Sequence, residues 1–265
     1  MATGNQETTP ENTGRNTSDV LFDLLSPDRL SLVTELSLRK QRLTSLAKIL
    51  NCTVQECSRN LNRLNNSGFV KKDSEGLYEI TPFGRAVFTL VPGFDLLIKH
   101  REYFLQHDLS FLPAPFMERI GELSEGSRVD HMSLVLDHIM QVVSKGKEYV
   151  WLISDQLMPR WPGIASSYSS SDIPVRMLGA QHIDPKVIAE AKTKLSHCEV
   201  GVLQEVKIAM AMNESLAGFC FPGTDGKIDF GAGFTGKDPL FRGWCHDLFE
   251  FYWSRSRKIE TILQL

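Results

Sequence analysis

Apolar residues between positions 26 and 81 recur at two different periods, and the switch between them predicts a small module. From Ser26-Pro27 onward, Leu30, Leu32, Val33, Leu36 and Leu38 mark a short helix with proline near its start, where a missing N–H costs nothing. A second helix begins near Thr44 and carries Leu46, Ile49 and Leu50. The period breaks at Asn51-Cys52, and Thr53-Val54-Gln55-Glu56 then has the composition of a capping box: the threonine hydroxyl takes a backbone N–H while the glutamate reaches back. In the third helix, Val54, Cys57, Leu61 and Leu64 recur at spacings of 3, 4 and 3, which is one buried stripe at helical period. Gly68 stops it. Phe69-Val70-Lys71-Lys72 and Leu77-Tyr78-Glu79-Ile80 then read as two short strands around Asp73-Ser74-Glu75-Gly76, a turn-forming cluster.

The other face of the third helix shows Gln55, Ser58, Arg59, Asn62, Arg63 and Asn66. These side chains can hydrogen-bond base edges and phosphates, with arginine suited to guanine and asparagine or glutamine to adenine. Charge points the same way. Residues 26 to 81 hold nine Lys/Arg against six Asp/Glu, a net of +3 in a chain whose total is −3, so the remainder carries −6. A basic end on an acidic chain suggests a polyanionic partner. An ordinary solvated helix face would have the same composition, so charge alone leaves both readings open.

Helix, helix, tight turn, capped helix and hairpin is the order of a winged helix-turn-helix. The pattern LxxLxxxGFVxxxxxGxYxIT, within a span of about 20 to 90, resembles archaeal and bacterial regulators of the ArsR/MarR-like type. That resemblance implies a third helix lying in the DNA major groove and a wing on the flanking backbone. Gln55, Ser58, Arg59, Asn62 and Arg63 would then face bases and nearby phosphates. Thr44, Ser45, Lys71 and Lys72 would hold the backbone and set register. Winged modules also serve as protein-binding adaptors, which is the competing expectation.

Beyond the hairpin, Thr81-Pro82-Phe83-Gly84-Arg85 opens another helical run, and apolar positions continue from Phe94 to Gln106. Prolines 113 and 115 oppose further helix. A helix is expected over Met132 to Val143, followed by strands at 149–153 and 173–178, a helix at 185–195 and a strand at 199–203. An antiparallel pair at 206–212 and 216–221 turns at Asn213-Glu214-Ser215; a further strand at 230–234 and a long helix at 239–258 close the chain. Strands interleaved with helices make an α/β fold. The chain of 265 residues has room for one large or two modest domains. The expected organisation is a disordered tail over 1–17, a winged helix-turn-helix over 18–90, a linker or dimerisation helix over 91–107 and an α/β sensor domain over 108–265.

The second half resembles the methanogenesis-regulator middle-domain family through LPAPFMERIGELSEG (112–126), SLAGFCFPGTDGKIDFGAGFTGKDP (215–239) and WCHDLFEFYWSRSRK (244–258). That resemblance implies a sensor. TrmB-type archaeal regulators, similar in plan, use a phospholipase D-like domain for this purpose. Phospholipase D chemistry needs the pattern HxKxxxxD, and here Lys207 has glutamate, Glu205, two residues before it. A phospholipase D-like fold without its catalytic motif is therefore expected, with no catalytic residue and no phosphodiesterase activity; a phosphodiesterase is the weaker alternative. There is no GxxxxGK[ST], HExxH or GxSxG. On these grounds the chain is expected not to be an enzyme.

The five cysteines, at 52, 57, 198, 220 and 245, show no zinc-finger spacing. His131 and His138 lie two helical turns apart, too far to share a metal unaided. No metal site and no cofactor are expected. Trp151, Trp161, Phe221, Trp244, Tyr252 and Trp253 could furnish a pocket, with core packing the expectation for most. The longest stretch lacking Asp, Glu, Lys and Arg is 11 residues, 161–171, too short to span a membrane. The polar N-terminus has no apolar core of the secretory kind. These features together predict a cytoplasmic, sequence-specific DNA-binding transcription regulator. Its expected partners are double-stranded DNA, a second copy of the chain and an unidentified small-molecule effector, with no membrane. The homodimer is expected because a single helix reads too few base pairs.

Overall fold

The computed structural model describes residues 16–156, 173–181 and 198–258. The chain forms two compact units, Met1–Val91 and Pro92–Leu265.

The first unit opens with α1 (Thr17–Leu24) and α2 (Pro27–Leu38), followed by β1 (Gln41–Arg42), α3 (Leu43–Ile49) and α4 (Val54–Asn66). The hairpin strands β2 (Val70–Lys72) and β3 (Leu77–Ile80) and the helix α5 (Pro82–Phe88) complete it. The three strands pair antiparallel in the order β1-β3-β2. Helix α1 starts at residue 17, inside the stretch expected to be tail, because the Asn16 side chain accepts from the Asp19 amide at 2.9 Å and so caps it.

Two helix ends in this unit close in the same way. Asn51, at φ 50°, follows α3, and the amides of Asn51 and Cys52 return to the carbonyls of Lys48 and Ala47. Gly68, at φ 78°, follows α4, and the amides of Gly68 and Phe69 return to Asn65 and Leu64. Both are Schellman closures, which need a residue able to adopt positive φ and which satisfy the last helical carbonyls. The core between the helices and the sheet gathers Leu32, Val33, Leu36, Leu46, Leu61 and Phe69. Burying each leucine contributes about 2 kcal/mol. Val54, expected in the buried stripe, is 49% exposed. It stands in line with Cys57, Leu61 and Leu64, but on the first turn of α4, past the edge of the core.

In the second unit, α6 (Val91–Lys99) and α7 (Arg101–Gln106) replace the single helix expected over 94–106; the break falls at His100, which has non-helical φ/ψ. Leu96 and Tyr103 are buried in this unit's core, so the stretch read as a linker belongs to the body of the fold. After α8 (Ala114–Glu118) and a 3-10 turn (Ile120–Leu123) come β4 (Ser127–Asp130), a strand the sequence pattern did not predict, and α9 (Met132–Lys145). Six strands follow: β5 (Val150–Ser154), β6 (Val175–Ala180), β7 (Cys198–Leu203), β8 (Ala209–Asn213), β9 (Ala217–Cys220) and β10 (Ala232–Gly236). Helix α10 spans Pro239–Trp253, and β11 is Arg257–Lys258. The helix expected at 185–195 lies outside the described residues.

These strands form one mixed sheet, β11-β7-β6-β5-β8-β9-β10-β4. Its β5, β6 and β7 are parallel and its other pairs antiparallel. The last helix, expected to reach residue 258, stops at Trp253, and Arg257 and Lys258 pair with β7 instead. One face of the sheet packs on α10, where Trp151 stacks on Phe249 with ring centroids 4.6 Å apart and Phe219 lies against Phe241 and Trp244. The other face carries α9. Asn213, fully buried in the β8–β9 turn, donates to the Val142 carbonyl at 2.8 Å and accepts from the Ser215 and Leu216 amides, which ties that turn to α9. The phospholipase D-like fold finds no support in the described residues.

Candidate nucleic-acid interface

The expected capping box at the start of α4 is present. Glu56 N–H donates to Thr53 Oγ1 at 3.2 Å, and Thr53 N–H donates to Glu56 Oε2 at 3.0 Å. These bonds from Thr53 hold the Glu56 carboxyl below the usual carboxylate range. The box fixes where the helix starts, and so which residues face outward. At roughly 100° per residue, Gln55, Ser58, Arg59, Asn62 and Asn66 share one side, opposite the buried Cys57, Leu61 and Leu64. Gln55, Arg59, Asn62 and Asn66 are exposed, and Ser58 is half-buried. Thr44 and Ser45 are exposed in the first turn of α3.

Arg63 is turned elsewhere. Its Nε donates to Asp23 Oδ1, and its guanidinium lies 5.4 Å from the Phe22 ring centroid, so it fastens α1 to α4 rather than standing with Arg59. Asp23 is only 4% exposed and also accepts from Ser67 Oγ at 2.5 Å. Sequence position placed Arg63 near the outward face correctly, but the acid that draws it aside lies on another helix.

In the wing, Asp73 Oδ1 accepts from the amides of Glu75 and Leu77, and Gly76 takes φ 82° to complete the turn. Lys71 Nζ lies 3.1 Å from Glu79, and Lys40 Nζ lies 2.7 Å from the same carboxylate and 3.6 Å from Asp73. Lys72 stands over the Tyr78 ring, 5.6 Å from its centroid. The two lysines end β2 next to the turn, and both are exposed. Thr81 caps α5 by accepting from the Gly84 amide at 2.9 Å. A Cβ at Gly84 would sit 2.1 Å from the Phe69 carbonyl oxygen, so only glycine lets α5 lie this close to the wing.

Other candidates do not converge. Cys57 is buried beside Cys52, and that burial pushes its thiol up to about 12, away from thiolate chemistry. His138 bonds to Thr235 and not to His131. Among the described residues no group of three or more His, Cys, Asp or Glu is placed to hold a metal. Trp151, Phe221 and Trp244 are buried in the core, while Trp161 lies outside the described residues. The run Gly231-Ala232-Gly233-Phe234-Thr235-Gly236 has GxGxxG spacing. It is nearly all strand β10 rather than a turn from strand into helix, so it lacks the geometry that makes this spacing a phosphate cradle. No described helix is long and apolar enough to cross a membrane.

No family model matches the chain, and no curated protein does. The methanogenesis-regulator resemblance of the second half therefore has no counterpart there. Solved structures do match. TrmBL2, an archaeal chromatin protein whose structure is described as showing a novel mode of DNA binding, is 11% identical, with 92% of this chain and 100% of that one covered at a TM-score of 0.42. A homodimeric winged helix-turn-helix DNA-binding domain from Mycobacterium bovis, from a possible ArsR-family transcriptional regulator, is 20% identical, with 34% and 94% covered at 0.30. The S-adenosylmethionine-dependent methyltransferase SibL in its apo form is 14% identical, with 70% and 62% covered at 0.28.

The structural neighbours thus include DNA-binding proteins, one of them a winged helix-turn-helix domain. They also correct one expectation. The expectation that the chain is not an enzyme does not stand: SibL is one of several methyltransferases that match 70–72% of the chain.

Proposed function

We propose that the chain is a sequence-specific DNA-binding transcription regulator. Helix α4 lies in the major groove, the β2–β3 wing rests on the backbone, the chain acts as a homodimer in the cytoplasm, and the second unit is a sensor domain. The observation that carries the reading is the outward face of α4. A helix fixed at one end by a capping box and at the other by a Schellman closure presents Gln55, Ser58, Arg59 and Asn62 together, opposite its buried stripe. Arg59 and Asn62 have the donor and acceptor patterns that read guanine and adenine edges. Thr44 and Ser45, with Lys71 and Lys72 of the wing, supply contacts to phosphate that set register. Arg63 contributes indirectly, by holding α1 on α4.

Replacing Arg59 and Asn62 by alanine tests this assignment. Each base contact is worth about 1–3 kcal/mol of discrimination. The double variant is therefore expected to lose preference for its best duplex over a scrambled one while keeping salt-sensitive binding to both. Unchanged preference would move sequence reading away from α4. An absence of binding to any duplex by the unmodified chain would favour the protein-adaptor reading.

A further inference from the structure

A cavity of about 450 Å³ lies between α9 and strands β5, β8, β9 and β10 of the second unit. Its origin is in the alternation of three adjacent strands. On the face towards α9, β8 presents Ala209 and Ala211, β9 presents Gly218 and Cys220, and β10 presents Gly233 and Thr235. The register sets these side by side, with Ala211 opposite Gly218, Ala209 opposite Cys220, and Gly218 opposite Thr235. The residues between them, Met210, Met212, Phe219 and Phe234, are large and point to the other face, where the α10 side of the core takes them up. Small residues set side by side on the face towards α9 leave a hollow beneath the helix. A close-packed interior would have filled that volume.

Met132, Leu136 and Met140, at helical spacing on α9, form the wall. Met132 and Met140 are exposed, and unbranched thioethers adapt readily to differing apolar shapes. The polar atoms stand together. Thr235 Oγ1 lies 2.9 Å from His138 Nδ1, and His138 rests on the strand because Gly218 has no Cβ to meet its ring. Burial lowers the His138 pKa and so favours its neutral imidazole; both ring nitrogens lie within 3.0 Å of Thr235 Oγ1, and that hydroxyl, with two lone pairs, can still accept a further hydrogen bond. The lining carries the acid Asp137, and among the described residues no Lys or Arg lines it. An anionic ligand would meet repulsion without a counter-charge.

We infer that this cavity is a binding site for an uncharged, mostly apolar small molecule bearing one hydroxyl, which donates a hydrogen bond to Thr235. The volume falls within the range of small-molecule pockets, and the lining has their usual make-up of apolar walls with a few convergent polar groups. The inference concerns occupancy of the second unit and does not rest on DNA binding.

The test is a titration of the full chain with N-phenyl-1-naphthylamine, a neutral dye that brightens in apolar surroundings, followed by displacement. The dye is expected to bind and to be displaced by 1-decanol but not by decanoate. Ala211→Leu fills the floor and is expected to abolish dye binding, with folding checked by circular dichroism. Thr235→Val keeps the shape and removes the hydroxyl; it is expected to retain the dye while weakening 1-decanol by roughly fivefold relative to decane. Failure of the dye to bind, displacement by decanoate as readily as by 1-decanol, dye binding that persists in folded Ala211→Leu, or an unchanged decanol-to-decane ratio in Thr235→Val would each overturn the proposal. Should Ala211→Leu fail to fold, the Thr235→Val ratio and the decanoate arm decide.

Discussion

Asp23 is a carboxylate almost shut off from water, and Arg63 and Ser67 both donate hydrogen bonds to it. Removing it takes from Arg63 its ion-pair contact on α1 and from Ser67 the bond that it donates to Asp23. Asp23→Ala is therefore expected to destabilise the winged unit by about 2 kcal/mol in urea denaturation. Combining it with Arg63→Ala should cost less than the sum of the two single changes, because both remove the same contact. Additive losses would show that Arg63 works elsewhere, the DNA-facing role included. The pair also marks where sequence reading ends at this scale. The angular position of Arg63 on α4 follows from helical period alone, whereas Asp23, forty residues away on a different helix, is brought to it only by packing. Val54 errs for a related reason: period places it in the buried stripe, but the extent of the core decides whether anything covers it.

At the scale of elements, the wing is held by a lattice of charge. Lys40 and Lys71 hydrogen-bond Glu79 and hold its carboxyl below the usual range. Asp73 is lowered chiefly by the Leu77 amide, with the Glu75 amide and Lys40 adding to it. A carboxyl with a depressed folded-state pKa stabilises the fold above its unfolded value, and that contribution is lost as pH falls through the folded one. The Tm of the winged unit is thus expected to drop on acidification below about pH 4, and Lys40→Met should flatten that dependence. An equal slope in wild type and variant would contradict the lattice. Lys72 is set apart from these carboxylate bonds, over Tyr78. Lys72→Ala should lower the salt slope of DNA binding by about one if the wing meets a phosphate, and an unchanged slope would rule that contact out.

Most elements of the winged unit were legible because their signals are local: the capping box at Thr53–Glu56, the break in period at Asn51-Cys52, the glycine stop at Gly68, and the turn cluster before Leu77. In the second unit the β8–β9 hairpin was legible from Asn213-Glu214-Ser215. Strand β4 was not, since Ser127-Arg128-Val129-Asp130 is polar and takes its place only at the sheet edge against β10. The final helix was read too long because nothing local shows that Arg257 and Lys258 find a partner in β7. The small-against-large alternation of Ala209 to Met212 is plain in the sequence, yet its consequence depends on β9 and β10 repeating it in register.

For the whole molecule, the charge asymmetry and the α4 face lead to the same reading. The +3 carried by residues 26–81 lies on the unit that presents Gln55, Arg59 and Asn62 outward, while the acidic remainder includes the unit with the apolar cavity. Under the proposed function, a polyanion-facing end and a small-molecule-sized hollow would divide the labour of a regulator, and coupling between them would require a ligand to bind two states differently. The central claim is narrower, that α4 reads sequence, and selection of duplexes from a random pool at two salt concentrations tests it most directly. The account predicts enrichment of a short motif repeated as a palindrome, with half-sites one helical turn or a multiple apart, persisting at the higher salt. Retention that vanishes at the higher salt with no motif enriched would contradict it, leaving only a charged surface.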